Sequence, residues 1–149
     1  MWFNKNEPHT LYCDRRSETF VSEYRSQKYI EIKPDIQCDF TNLPFSDESF
    51  SLVVFDPPHL TNIKETAWIA KKYGLLDGDV DWRELIRGGF YECMRVLKPD
   101  GVLVFKWSDY SIGTRDVIDA IGMEPLFGHR SGRKMNTHWM CFMKFKKGE

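Results

Sequence analysis

The sequence FSLVVFDPPHL, residues 50–60, ends an apolar run with Asp56, Pro57, Pro58 and His59. The carboxylate of Asp56 accepts hydrogen bonds, and the two prolines have a fixed φ that stiffens the segment. The imidazole of His59 is able to stack on a ligand ring or act as a general base, but it also suits a loop without a chemical task. These four residues are therefore a candidate catalytic site, with a strand-capping turn as the alternative.

Two other acids, Asp14 and Asp39, also follow strand-like segments. In open parallel sheets, ligands bind beyond the carboxyl ends of the strands, so these two acids and Asp56 can line one crevice. A carboxylate in that position accepts hydrogen bonds from neighbouring ligand hydroxyls. The structural alternatives are a pairing of Asp14 with Arg15 or Arg16, and a turn cap formed by Asp39.

The elements that position these acids alternate between strand and helix. The pattern predicts helices in KETAWIAKKYG, WRELIRGGFYECMRVL and IGTRDVIDAIG, and strands in TLYCD, KYIEIKPDIQCD, FSLVVFD, VLVFKW and THWMCFMKF. Asp81 is predicted to cap one helix, and Gly74 and Gly122 to end two others. FSLVVFD is typical of a strand buried on both faces of a parallel sheet, and RRSETFVSEYRSQ of a loop. The alternation predicts an α/β fold with a mostly parallel sheet and an antiparallel C-terminal strand.

Length and charge limit the further options. The chain has 149 residues, which fits a single domain over residues 1–149. The formal net charge of -1 gives no overall field that favours nucleic acid or membrane. Residues 35–56 carry only acidic charges, whereas basic residues dominate from Pro125 onward. The basic end is either a solvated tail or an edge that faces phosphate.

The four cysteines are scattered and form no C-x-x-C pair, a spacing that is wrong for zinc. The N-terminal residues MWFNKNEPHT contain no apolar signal core, and no apolar run approaches membrane-spanning length. We therefore expect a cytoplasmic protein with reduced thiols, no metal and no membrane contact.

Two longer motifs resemble a known family. DIQCDFTNLPFSDESFSLVVFDPPH, followed by MRVLKPDGVLVFKW, resembles the class I S-adenosylmethionine-dependent methyltransferases from about residue 11 to the C-terminus. DPPH, FKW and THWMCFMK are similar, more narrowly, to small methyltransferase-like proteins of phages and mobile elements. The resemblance implies a Rossmann-like three-layer sandwich, abbreviated at its N-terminus, and S-adenosyl-L-methionine as the cofactor.

The resemblance also implies roles for single residues. Asp39 matches the acid that binds the adenine amino group, and the backbone amide of Phe40 would meet the adenine ring nitrogen. Asp14 matches the acid that binds the ribose hydroxyls. Asp56 and the carbonyl of Pro57 match the two acceptors that hold a reacting amine, and Asp56 also borders the cofactor.

The implied substrate follows from the last two motif positions. Pro58 stiffens the loop, and His59 stands where the family usually has a tyrosine that stacks on the substrate base. The resemblance thus implies N-methylation of a nucleobase in DNA or RNA, presented flipped or single-stranded. A protein glutamine also remains open as a substrate. Because no separate recognition domain is present, a partner subunit or a homo-oligomer is expected to assist.

The chain departs from the family in one respect, because no glycine precedes Gly74. The glycine-rich turn that approaches the methionine half of the cofactor is therefore absent. Either the first strand is missing, or residues 4–9 or a neighbouring subunit take its role. The alternative function is a non-catalytic binding module with a methyltransferase-like fold. A nucleotide-binding oxidoreductase is least favoured, since the chain has no G-x-G-x-x-G turn.

Other side chains near the predicted crevice have two interpretations each. Lys106 and Trp107 close a predicted strand and either border the crevice or pack in the core. Trp68 and Trp82 flank a loop beyond the DPPH motif and are either a lid or packing residues.

Overall fold

The computed structural model describes Asn4, residues 6–22, 28–64, 67–76, 80–131, Lys134 and residues 136–146. Within these residues the chain forms eight strands and three helices. The strands are β1 (Cys13–Asp14), β2 (Glu18–Ser22), β3 (Lys28–Ile32), β4 (Ile36–Gln37), β5 (Phe50–Phe55), β6 (Leu97–Ser108), β7 (Phe127–Ser131) and β8 (Thr137–Met143). The helices are α1 (Trp68–Tyr73), α2 (Trp82–Val96) and α3 (Thr114–Ile121).

The largest sheet among the described residues is mixed and has the strand order β5-β6-β8-β7. β5 and β6 are its one parallel pair, and β8 runs antiparallel to both β6 and β7. β1 and β4 form a separate parallel pair, and β2 and β3 a separate antiparallel pair. The prediction of a mostly parallel, Rossmann-like three-layer sandwich is therefore wrong.

The connections explain this difference. Residues 132–136 join β7 to β8, and parallel strands need a much longer crossover, so this pair is antiparallel. The last strand does lie antiparallel to its neighbours. β1 and β4 pair with each other and do not extend the larger sheet, so β5 lies at an edge of that sheet and not in its interior. The segment 18–22, predicted as a loop, forms β2.

One buried cluster joins the four-stranded sheet to α2 and α3. Alternate residues of β6, Leu103, Phe105 and Trp107, are buried in the same cluster as Phe90 of α2 and Ile121 of α3. α2 and α3 also contact each other, so they cover the same face of the sheet. The packed core thus has two layers and not the predicted three.

The predicted helix ends are confirmed. The Asp81 carboxylate accepts a hydrogen bond from the Arg83 backbone amide at 2.9 Å and caps α2. α1 and α3 end at Gly74 and Gly122, with φ of 76° and 70°. Glycine adopts these angles at little cost because it has no Cβ. Among the described helices, none has both the length and the apolar content needed to cross a bilayer.

Candidate active site

Asp56 lies at the carboxyl end of β5 and forms an ion pair with Lys106 of β6. Phe55 pairs with Phe105 across the parallel strands, so the next residue of each strand falls side by side. Lys106 Nζ donates to Asp56 Oδ2 across 2.8 Å. The two side chains are 21% and 34% exposed, respectively, so this pair lies at the rim of the protein. One carboxylate oxygen is held by lysine, and a carboxylate has further lone pairs with which to accept from a ligand.

The rest of the DPPH segment turns inward from Asp56. Pro57 is buried, and Pro58 and His59 are half-buried. The His59 ring centroid lies 6.0 Å from that of Tyr73 and 6.2 Å from that of Trp107. The imidazole is therefore packed among aromatic rings and is not a freely exposed loop side chain.

The surroundings of His59 lower the pKa of its imidazole below the ordinary value of 6.5. Burial is the main cause, because it penalises the charged form, and the Lys106 ammonium acts in the same direction. Asp56 and a hydrogen bond to the Pro57 backbone oppose the shift without cancelling it. His59 is thus neutral at pH 7 and able to accept a proton.

This lowered pKa predicts a pH dependence of stability. The unfolded chain binds a proton at position 59 near pH 6.5, whereas the folded chain does so only at lower pH. The stabilisation is therefore complete above about pH 6.5 and is lost as the pH falls through the folded pKa. His59→Gln should remove this loss. The free energy of unfolding, measured with urea, should decrease less between about pH 7.5 and about pH 5 for the variant than for the wild type. An identical decrease in both proteins would contradict the assignment.

A cavity of about 760 Å³ runs along β5. The predicted site residues that line it are Asp14, Phe40, Asp56, Pro57 and Pro58. Asp39 and His59 are not among its described lining residues. The cavity thus brings together three segments that are distant in the sequence, although it leaves two predicted site residues outside.

Asp14 lies in the cavity wall with Arg16 bound to its carboxylate. Arg16 Nε donates to Asp14 Oδ1 at 3.1 Å and a terminal nitrogen donates to Oδ2 at 3.0 Å. Arg16 also donates to the Lys71 carbonyl at 2.9 Å, which ties β1 to α1. The structure therefore contains the arginine pairing that was the alternative for Asp14, at a position that still borders the cavity.

Asp39 organises the turn that follows β4. Its Oδ1 accepts hydrogen bonds from the Thr41 backbone amide at 2.8 Å and from the Thr41 hydroxyl at 2.7 Å. These bonds lower the pKa of the Asp39 carboxyl, with the backbone bond the largest cause. Asp39 is thus a turn cap, as the alternative interpretation predicted. Both bonds use Oδ1, so they do not occupy Oδ2.

Phe40 packs between the cavity and α2. Its ring meets that of Phe55 edge to face, with centroids 5.5 Å apart. Gly89 of α2 lies so close that a Cβ there would be 2.8 Å from Phe40 Cε2 and 2.7 Å from Phe55 Cζ. The position of Phe40, and with it this part of the cavity wall, therefore depends on a glycine in α2.

Three residues at the end of α1, Lys72, Tyr73 and Gly74, also line the cavity and were not predicted as site residues. No local sequence pattern places the end of α1 at the cavity, because the hydrogen bond that ties α1 to β1 joins Arg16 and Lys71, which are 55 positions apart. The Asp56–Lys106 contact follows from the register of β5 and β6. Lys106 was predicted either to border the crevice or to pack in the core, and this register places it beside Asp56.

Trp107 and Trp82 are packing residues. Trp107 is fully buried, and its Nε1 donates to the Ile112 carbonyl at 3.0 Å. Trp82 is half-buried against the core, which does not fit a lid. A separate pair, His138 Nε2 and Asp109 Oδ2, lies 2.8 Å apart at the same end of the sheet. Among the described residues, no group of three or more His, Cys, Asp and Glu is arranged to hold a metal ion.

Comparison with known proteins identifies no family. No protein-family model matches the chain, and no curated protein matches its sequence. Assignment of function therefore depends on the residues around the cavity and on the motif resemblance.

Proposed function

We propose that this protein is an S-adenosylmethionine-dependent methyltransferase that acts on an amino nitrogen. The observation that best supports this proposal is the shared cavity, since Asp14 and Phe40 line it together with Asp56 and Pro57. The first pair matches family positions that hold the nucleoside, and the second pair matches positions that hold the reacting amine. The cavity volume of about 760 Å³ is also in the usual range for small-molecule sites.

The residues present suit such a cofactor in chemical type. Asp14 offers carboxylate oxygens to ribose hydroxyls, and Asp39 Oδ2 offers an acceptor to an adenine amino group. Bound S-adenosylmethionine supplies a methyl group on a positively charged sulfur. Of the predicted cofactor-binding residues, Asp39 is the one that lies outside the cavity lining.

Asp56 and the Pro57 carbonyl have the chemistry to orient the amine. Each accepts one N–H bond, which favours a tetrahedral nitrogen whose lone pair points away from both acceptors. Lys106 holds Oδ2 of the carboxylate, and the prolines restrict the backbone. Both acceptors therefore lose little conformational freedom when the amine binds. His59, neutral at pH 7, is able to accept the proton that the substituted nitrogen releases.

The proposed substrate is a nucleobase in DNA or RNA. Lys106 pairs across the sheet with Trp139, and the Lys106 ammonium is 5.8 Å from the Trp139 ring centroid. A half-buried indole beside the acceptor carboxylate offers a surface on which a flipped or single-stranded base can stack. Nucleic acid as partner and a reducing, cytoplasmic setting for the free cysteines belong to the same proposal.

A second candidate function is a non-catalytic binding module. The observation that favours it is that both carboxylates lining the cavity are already in ion pairs, Asp14 with Arg16 and Asp56 with Lys106. In a methyltransferase these carboxylates would have to bind the cofactor and the amine as well as Arg16 and Lys106, whereas a binding module has no such requirement.

Calorimetric titration with S-adenosylmethionine separates the two functions. We expect wild-type protein to bind the cofactor, and Asp39→Ala to weaken binding by about 5-fold to 150-fold, the usual cost of an unpaired polar partner. Thr41→Val is the matched control, because it removes one bond of the same turn and keeps the Asp39 carboxylate.

Each outcome of this titration has a clear meaning. Unchanged affinity in Asp39→Ala would show that the adenine site has been misplaced. Equal losses in both variants would assign the effect to the turn and not to the carboxylate. Absence of binding to the wild type would favour the non-catalytic module.

A further inference from the structure

The outer edge of β5 has the sequence of a covered strand, yet no described strand covers it. FSLVVF contains no charge and no proline, whereas natural edge strands are usually protected by charge, proline or a bulge. The register irregularity of β5 is confined to its start, between Phe50 and Leu52. Leu52 is 50% exposed on this edge strand. Uncharged runs of this kind are typical of strands that are buried on both faces of a parallel sheet.

β1 forms the opposite wall of the cavity. Leu11, Cys13 and Asp14 line the cavity, and Leu11 is 51% exposed. β4 pairs with β1, and the cavity lies on the other side, so β1 also turns an edge toward it. Two strand edges thus border the same space.

The two walls approach each other at one end. Their carboxyl ends meet at Gly74, where a Cβ would be 3.3 Å from Pro58 Cγ and 3.9 Å from Arg16 Cζ. Pro58 follows β5 and Arg16 follows β1. A segment between the walls would therefore lie along β5, with β1 on its other side.

The space suits one short extended segment. A strand residue occupies about 3.3 Å along the chain, about 4.8 Å across the sheet and about 10 Å between faces, or roughly 160 Å³. The cavity of about 760 Å³ then holds about four or five such residues. Phe40, Cys93 and Val96 line the cavity with apolar groups, so side chains directed toward them must be apolar.

Positive charge lies at both ends of the cavity. Lys98 follows Leu97, which pairs with Phe50 at the amino end of β5. Arg15 and Lys72 lie at the carboxyl end. Both lining carboxylates are already in ion pairs, so these cations favour an occupant with an acidic residue at each end.

We propose that the cavity binds an extended segment of another polypeptide, which lies along β5 and is hydrogen-bonded to its free edge. The segment has a neutral core of about four or five residues, with an apolar side chain at every second position and an acid at each end. The sheet edge of a second copy of this chain does not fit, because β1 closes the far side. The inference depends only on strand edges, volume and charge, but the segment would fill the cavity that the proposed function assigns to the cofactor, so we expect peptide and S-adenosylmethionine to exclude each other.

Fluorescence anisotropy with a labelled peptide of sequence Asp-Val-Thr-Val-Thr-Val-Asp tests the proposal. We expect saturable binding that Leu52→Lys and Leu11→Lys each weaken by about tenfold or more, because a charge enters the apolar contact. Leu126→Lys is the matched control, since Leu126 is 54% exposed and is not among the lining residues. Peptides with a central proline or with N-methyl groups on consecutive residues should bind weakly, because consecutive N-methyl groups block both edges of the peptide and proline lacks the N–H group.

Several results would overturn the proposal. Lack of saturable binding excludes the segment, and equal binding of the N-methylated peptide excludes strand pairing. Equal loss in Leu126→Lys would indicate a non-specific charge effect. Sedimentation tests whether the occupant is a second copy of the chain. That would be the conclusion if the protein self-associates, if Leu52→Lys abolishes the self-association and if the peptide does not compete with it.

Discussion

Asp56→Ala is expected to reduce methyl transfer by about a thousandfold while leaving the affinity for S-adenosylmethionine nearly unchanged. The carboxylate is one of two acceptors that the proposed mechanism assigns to the amine, and the prolines fix it in place before the substrate arrives. An acceptor that acts mainly on the reacting geometry lowers the rate more than it lowers ground-state binding. Single-turnover transfer of a labelled methyl group, with calorimetry on the same variant, measures the two quantities separately.

Lys106→Met is the matched control for this variant. It also breaks the 2.8 Å ion pair, but it keeps the carboxylate at position 56. We expect a reduction of about tenfold or less, because the carboxylate loses orientation and not its function as acceptor. If the two variants lose activity equally, Asp56 acts through the ion pair. If Asp56→Ala keeps full activity, the catalytic assignment is wrong.

Local features of this protein could be predicted because residues close in sequence determine them. Asp81 caps a helix whose first turn it precedes, and Gly74 and Gly122 end helices at a left-handed φ. The period of α2 likewise places Phe90 and Cys93 in the core. Each inference needs only a few neighbouring residues.

The arrangement of the strands could not be predicted in the same way. The apolar run of β5 indicated burial, but it does not specify which strand lies beside it. β1 pairs with β4 through Cys13 and Ile36, which are far apart in the sequence and carry no matching local signal. The strand over residues 18–22 was missed because it pairs with β3 outside the main core and therefore lacks the apolar pattern of a buried strand.

The candidate site was predicted in part for the same reasons. Asp56 and Pro57 were identified because the DPPH motif is contiguous and resembles a family motif. The contact of Lys106 with Asp56 follows from the β5–β6 register, and the contact of β1 with α1 follows from a long-range hydrogen bond. Neither can be read from neighbouring residues. For Asp14, the competing partner Arg16 was two positions away, and a short-range arginine pair forms readily.

Gly88 and Gly89 of α2 provide a test that connects this packing to the site. Gly89→Ala should lower the free energy of unfolding by about 1–3 kcal/mol, because its Cβ would overlap the Phe40 and Phe55 rings. Gly88→Ala is the matched control one residue earlier in the same helix. Its Cβ would meet Thr41 Cγ2 at an ordinary 3.6 Å, so better helix propensity should raise the free energy of unfolding by about 0.5–1 kcal/mol.

Urea unfolding of the two variants under one condition measures this difference in sign. The same samples test the cavity, since Gly89→Ala displaces Phe40 from its wall and should weaken S-adenosylmethionine binding, whereas Gly88→Ala should not. Stabilisation by both alanines would mean that the rings move aside without strain. Destabilisation by Gly89→Ala with unchanged cofactor affinity would mean that Phe40 supports the fold alone, and the adenine would then have to contact another part of the chain.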